Sequence, residues 1–201
     1  MTINDFYEIE TAATTYPVTL DEARDFLKTP SIVTADDTLI EDILIKAATS
    51  RVEKYCNRVF VQRTFTGKFS NLKSSDYEVY PFIELRRSPL ISVSSVKTYV
   101  DESLTDVDSD SYYLKESPTF ARILFTETAD CDDDIAYPME VEFIAGYGAA
   151  SAVPECIKTA ILMYINFMYE NRGDVPAEGD REIIKQINMI LDPGIRIINS
   201  F

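Results

Sequence analysis

The sequence contains no histidine. That removes the commonest general base and the commonest metal ligand together. Cysteine is scarce: Cys56, Cys131 and Cys156 are odd in number and share no metal-ligand spacing. Such usage fits a reducing compartment, with Cys56 and Cys156 expected as small core residues. Basic residues are few, 19 Lys and Arg against 34 Asp and Glu, for a net charge of -15. A protein that grips phosphate backbones presents a clustered basic surface, so tight nucleic-acid binding is not expected. No apolar run approaches the roughly 20 residues that span a bilayer. Met1 is followed by Thr2, Ile3, Asn4 and Asp5, without a basic start, so neither a membrane segment nor a signal peptide is expected.

What is present is enough apolar material for a packed core: 46% of 201 residues, sufficient for one domain or two small ones. The most organised stretch runs from Ala145 to Arg172. Gly146 and Gly148 permit backbone angles that close whatever precedes them. Pro154 suits a helix start, and Glu155 places a carboxylate at the positive end of the helix dipole. Ile157, Ala160, Ile161, Tyr164, Ile165 and Met168 then recur at helical spacing, widened by Leu162, Phe167 and Tyr169, so a central, multiply covered helix is expected.

Upstream, residues 1–17 are acidic and mixed and read as a mobile arm. Thr19 and Glu22 have the spacing of a capping box at the head of a short helix carrying Ala23, Phe26 and Leu27, stopped by Pro30. Asp36-Asp37 opens a second helix, whose stripe is Leu39, Ile40, Ile43, Leu44, Ala47, Ala48, Val52 and Tyr55, with Asn57 as terminator. Short alternating runs follow at Phe60–Ser70, Tyr77–Leu85, Ile91–Val100, Tyr112–Leu114, Arg122–Phe125 and Met139–Ala145, separated by Pro, Ser and Asp. Ile183, Ile184, Ile187, Ile190 and Leu191 mark a last helix, ended by Pro193-Gly194. The residues that follow, to Phe201, are unexpectedly apolar.

These elements predict an α+β protein: a mainly helical core of about four helices, 18–57 plus 146–192, with a small antiparallel β module inserted at 58–145. The arm would be 1–17 and a C-terminal tail 193–201.

No catalytic constellation stands out. Asp130-Cys131-Asp132-Asp133-Asp134 offers oxygen ligands but lacks the glycine and distal glutamate of a calcium loop, so it reads as a solvated acidic loop. Arg86-Arg87 reads as a surface pair. Gly146-Tyr147-Gly148 lacks the lysine and third glycine of a phosphate-cradling loop and reads as a strand-to-helix hinge. No catalytic residue, cofactor or metal is expected. An enzyme built on paired carboxylates remains the competing class, and nothing in the spacing selects a pair.

The order of motifs resembles the head–tail connector (adaptor) proteins of long-tailed bacteriophages and prophages. The motifs are Val18-Thr19-Leu20-Asp21-Glu22-Ala23, Asp36-Asp37-Thr38-Leu39-Ile40 leading to Ala47-Ala48, and Val52-Glu53-Lys54-Tyr55-Cys56-Asn57-Arg58. Ser88-Pro89-Leu90-Ile91-Ser92-Val93-Ser94-Ser95-Val96 and Val141-Glu142-Phe143-Ile144-Ala145-Gly146-Tyr147-Gly148 follow. Val153-Pro154-Glu155-Cys156-Ile157-Lys158 and Tyr169-Glu170-Asn171-Arg172 complete the set. The chain departs from the family pattern at Ile83–Arg87, where a proline before Ser88 is expected, and in its longer acidic arm.

The resemblance implies a non-enzymatic structural virion protein in the neck, assembled in the bacterial host cytoplasm. Its partners would be the portal protein, a downstream neck or tail-completion protein, and itself, in a homo-oligomeric ring of twelve-fold symmetry through which DNA passes, with no membrane partner. Tyr169, Glu170, Asn171, Arg172, Ile195, Ile197, Ile198 and Phe201 are the expected partner contacts. A stopper or tail-completion protein, or an acidic module that mimics DNA, are the alternatives.

Overall fold

In the computed structural model, which describes residues 6–10, 14–30, 32, 34–70, 72–75, 78–116, 120–126, 135–172 and 178–191, the chain divides into two compact units. One joins the N-terminal segment to Gln62–Tyr147, and the other joins Thr14–Val61 to the chain from Gly148 onward.

The first unit is all β. Its strands, in chain order, are β1 (Phe6–Ile9), β2 (Arg63–Phe69), β3 (Lys73–Ser75), β4 (Glu78–Leu85), β5 (Leu90–Val100), β6 (Ser103–Asp106), β7 (Tyr112–Glu116), β8 (Ala121–Phe125) and β9 (Met139–Ala145). They form a five-stranded sheet in the order β1-β2-β9-β5-β6 and a four-stranded sheet in the order β3-β4-β8-β7. Every pairing is antiparallel.

The alternation along β9 decides which face is covered: Met139, Val141, Phe143 and Ala145 are buried, and the residues between them only partly. On that face Phe143 stacks on Phe65 at 5.7 Å, and the Tyr7 ring meets Phe69 edge-on at 5.8 Å. The Tyr7 hydroxyl donates to the Glu84 carbonyl (3.3 Å) and accepts from the Arg86 amide (3.2 Å), linking the two sheets. In the smaller sheet, Arg122 pairs with Glu84 (3.2 Å) and lies between the rings of Phe82 and Phe120, 4.5 and 4.4 Å from their centroids.

The second unit is helical. In α1 (Leu20–Leu27) the Glu22 amide donates to Thr19 Oγ1 while the Thr19 amide donates to Glu22 Oε2, so the expected capping box forms. The helix ends before Pro30, at Lys28, whose φ of 57° is left-handed. The Arg24 guanidinium forks onto the Asp37 carboxylate and ties α1 to α2 (Asp37–Leu39). A π-helical turn at Ile40–Leu44 then leads into α3 (Ile45–Cys56), which ends at Asn57 in the left-handed conformation.

The centre is α4 (Glu155–Glu170), preceded by Gly146 and Gly148 at φ of 132° and 97°. Pro154 is its cap rather than part of its first turn. Ile157, Ala160, Ile161, Tyr164 and Ile165 are all buried, and Met168 is only half-buried. Helix α5 (Glu178–Leu191) buries Ile187 and Leu191, and its Asn188 Oδ1 accepts from the Tyr164 hydroxyl at 2.7 Å.

Three expectations are corrected. The protein is not a mainly helical core with a small β module, because the described residues contain nine strands in two sheets forming a unit of their own. Three of those strands, β1, β3 and β6, are four residues or fewer and stand at sheet edges. The first of them lies within the stretch read as a mobile arm, where Phe6–Ile9 pairs with Phe65–Lys68 of β2.

Thirdly, the stripe of the second helix changes phase. Ile43 and Ala47 are exposed, whereas Ile40, Leu44, Ile45, Ala48, Thr49, Val52 and Cys56 are buried. An α-helix turns about 100° per residue, so a series at every fourth position drifts around the axis. The wider π turn, with its i→i+5 bonding, opposes that drift and keeps Ile40, Leu44, Ala48, Val52 and Cys56 on one side.

Candidate functional site

Among the described residues no group of three or more Cys, Asp and Glu side chains is arranged to hold a metal ion. No helix there is long and apolar enough to cross a membrane. Among the described residues, a groove of about 350 Å³ in the helical unit combines concavity with exposed apolar surface. It is lined by Phe26 of α1, Met163, Asn166, Phe167 and Glu170 of α4, Asn171, and Ile187 of α5.

Positions 163, 166, 167 and 170 share one face of α4 by their spacing of three and four. That face carries Met and Phe in its middle and Glu at its end. Phe26 is 41% exposed, so the wall from α1 is a large ring turned partly to solvent. Asn171 caps α4 from within: its side-chain amide donates to the Phe167 carbonyl at 2.8 Å. A site of this composition can hold apolar side chains of a peptide between amide and carboxylate rims.

Beside it, at the same end of α4, three residues expected only as neighbours in motifs come together. The Tyr169 hydroxyl donates to Asp36 Oδ2 at 2.6 Å, Arg172 Nη1 donates to Asp36 Oδ1 at 3.2 Å, and the Arg172 guanidinium lies 4.2 Å from the Tyr169 ring centroid. Asp36 stands at the cap position of α2, yet its side chain makes no cap bond there. It is turned to Tyr169 and Arg172 instead. The Tyr169 hydrogen bond, with the Arg172 charge, holds the Asp36 carboxyl below its ordinary value against a smaller opposing desolvation. The same hydrogen bond pushes the Tyr169 phenol up, because ionising it would set two anions side by side.

Of the expected contact residues, then, Tyr169 and Arg172 are engaged within the helical unit, and Glu170 and Asn171 border the groove. Ile195, Ile197, Ile198 and Phe201 lie outside the described residues, as does the acidic run 130–134. Arg86 and Arg87 are separate in role: Arg86 faces Glu84 at 3.8 Å, while the Arg87 guanidinium lies 5.0 Å from the Tyr7 ring centroid. Cys56 is buried, as expected of a core residue, and Cys156 is only half-buried.

Sequence reasoning missed the groove. It assigned Phe26, Phe167 and Ile187 to packed faces, and the signal available was the excess of apolar residues on α4 over what one neighbour can cover.

No protein-family model and no curated protein matches the chain. Solved structures do. A chain in the neck of an empty gene transfer agent particle, computed with C6 symmetry, matches at a TM-score of 0.74 and 19% identity, covering 98% of this chain and 97% of that one. A chain in the virion of the native gene transfer agent particle matches at 0.71 and 20% identity, covering 97% of each. A third, in the neck of the native particle computed with C12 symmetry, matches at 0.64 and 20% identity, over 98% of this chain and 97% of that one. At these identities the likeness is one of fold.

Proposed function

We propose that this chain is a non-enzymatic structural protein of the neck of a phage-like particle, where copies of it form a ring between the DNA-filled head and the tail. The observation that carries this reading is the agreement in fold over 97–98% of the chain with chains of particles whose necks were described with C6 and C12 symmetry. The motif order of residues 18–172, similar to that of head–tail connectors, points the same way.

Within the neck, the adaptor position directly beneath the portal is the role we favour. Its partners would be the portal above and a stopper or tail-completion protein below. A net charge of -15 suits a ring around translocating DNA, since acidic walls repel phosphates and keep the duplex from sticking. Glu170 and Asn171 at the groove rim, and the apolar residues Ile195, Ile197, Ile198 and Phe201, are the proposed partner contacts.

The test is imaging by electron microscopy of the purified protein mixed with its cognate portal. A ring of this protein stacked on the tail-facing side of the portal is expected. Failure to associate with the portal, together with binding to tail-proximal proteins, would instead identify a stopper or tail-completion protein. No association with any neck component would refute the neck reading altogether.

A further inference from the structure

We propose that Asp36 and Asp37 act in series as a strap on α1, so that α1 is a movable wall of the groove whose position the two carboxylates set. The inference depends on the helical unit alone and stands apart from the neck reading.

Helix α1 has little else to hold it. It is eight residues long, a length at which an isolated helix is marginal. Ala23 is its one buried residue, Leu20 and Leu27 are half-buried, and Phe26, which walls the groove, is 41% exposed. The start of the helix is anchored, because Val18 is buried and the capping box closes at Thr19. From Arg24 to its end no residue is buried.

That end is held through Arg24, whose Nε donates to Asp37 Oδ1 at 2.8 Å and whose Nη2 donates to the other carboxylate oxygen. The Arg24 side chain is only 12% exposed, so this two-point, charge-assisted contact is largely shielded from water. Asp37 is fixed in turn by its neighbour. Asp36 makes no side-chain cap bond to α2 and instead accepts from Tyr169 (2.6 Å) and Arg172 (3.2 Å) at the end of α4. Adjacent carboxylates thus reach different helices, one α4 and the other α1. Released from them, α1 can turn about Val18 and carry Phe26 off the groove. Helices α4 and α5 stay together meanwhile through the Tyr164–Asn188 bond and the buried Ile187.

Amide hydrogen exchange on Asp37→Asn and, separately, on Asp36→Asn and Tyr169→Phe tests the series. Each should speed exchange over residues 23–29 by roughly tenfold, the range for losing a hydrogen bond to a charged group, beyond any change over residues 157–165 of α4. The chain has no tryptophan, so Phe26→Trp places a single emitter on the wall, and iodide should quench it more strongly when any of the three substitutions is added. Tyr169→Phe removes one hydroxyl and keeps the ring beside Arg172, so it should stay folded by far-ultraviolet circular dichroism even where an aspartate variant does not.

A response of α1 to Asp37→Asn but not to Asp36→Asn or Tyr169→Phe would mean that the carboxylates act separately, and would overturn the proposal. So would no response of α1 to any of them. Equal acceleration in α1 and α4 would make the contacts general supports of the unit rather than a strap, and faster exchange without stronger quenching would mean that α1 frays in place. Either result would overturn the proposal as well.

Discussion

The Asp36 carboxylate accepts two hydrogen bonds from residues more than 130 positions away, one from Tyr169 and one from Arg172. Its lowered pKa contributes stability that is present above the ordinary 3.8 and is lost as pH falls through the depressed value. Tyr169 works in the opposite sense. Its raised pKa contributes stability present below 10.0 and lost as pH rises through the raised value. Asp36→Asn should therefore be less stable than the native chain at neutral pH, and the gap should close toward both extremes. Urea unfolding midpoints across the pH range measure this, and a gap independent of pH would show that the cluster does not couple to folding. Gly67 marks a second residue-scale constraint. It sits in β2 opposite Tyr7 and Val141, and a Cβ there would lie 2.8 Å from Phe69 Cε2 and 3.3 Å from Tyr7 Cε1. Gly67→Ala should cost about 1–3 kcal/mol through overpacking, read from thermal unfolding; an unchanged melting temperature would mean that the Phe69 ring swings aside freely.

Among the elements, the second helix makes the sharpest prediction, since two isoleucines two residues apart stand on opposite faces of it. Ile43 is 57% exposed, and Ile45 is 2% exposed. Ile43→Ser should change stability by no more than about 0.5 kcal/mol. Ile45→Ser should cost roughly 2–5 kcal/mol, the range for emptying a large buried aliphatic site. Equal effects in chemical denaturation would mean that the two side chains are equally covered. How far such elements could be read beforehand followed their length. Helices α3, α4 and α5 and strands β2, β4, β5, β7, β8 and β9 each repeat a period often enough to announce themselves. Strands β1, β3 and β6 do not, and β1 and β6 are held at the sheet edges by the strands they pair with.

For the whole molecule, charge sets the terms of assembly. Copies carrying -15 each repel one another, and that repulsion between exposed charges is screened over about 10 Å at 0.1 M salt. If copies meet through apolar contacts in a ring, self-association should strengthen as ionic strength rises from about 0.01 to 0.15 M, which sedimentation velocity can follow. Association that weakens over this range would point to ion pairs as the main contact between copies. The groove belongs to this scale too. Its walls come from α1, α4 and α5, the first two separated by the 127 residues 28–154, and no local pattern could have shown that they leave a gap rather than close on one another.

What the sequence determined by itself was local. The Thr19–Glu22 capping box, the left-handed stop at Asn57, the glycine hinge before α4 and the buried face Ile157, Ala160, Ile161, Tyr164 and Ile165 all rest on bonds or spacings within a few residues. The tertiary structure alone decided what depends on distant partners: the pairing of Phe6–Ile9 with β2, the turning of Asp36 from helix cap to Tyr169 and Arg172, and the phase shift at Ile40–Leu44. It also decided the balance between sheet and helix. Alternation says that a segment is a strand with one covered face, but how many short, polar strands are recruited to complete a sheet is settled by the hydrogen-bonding groups its edges still have to satisfy.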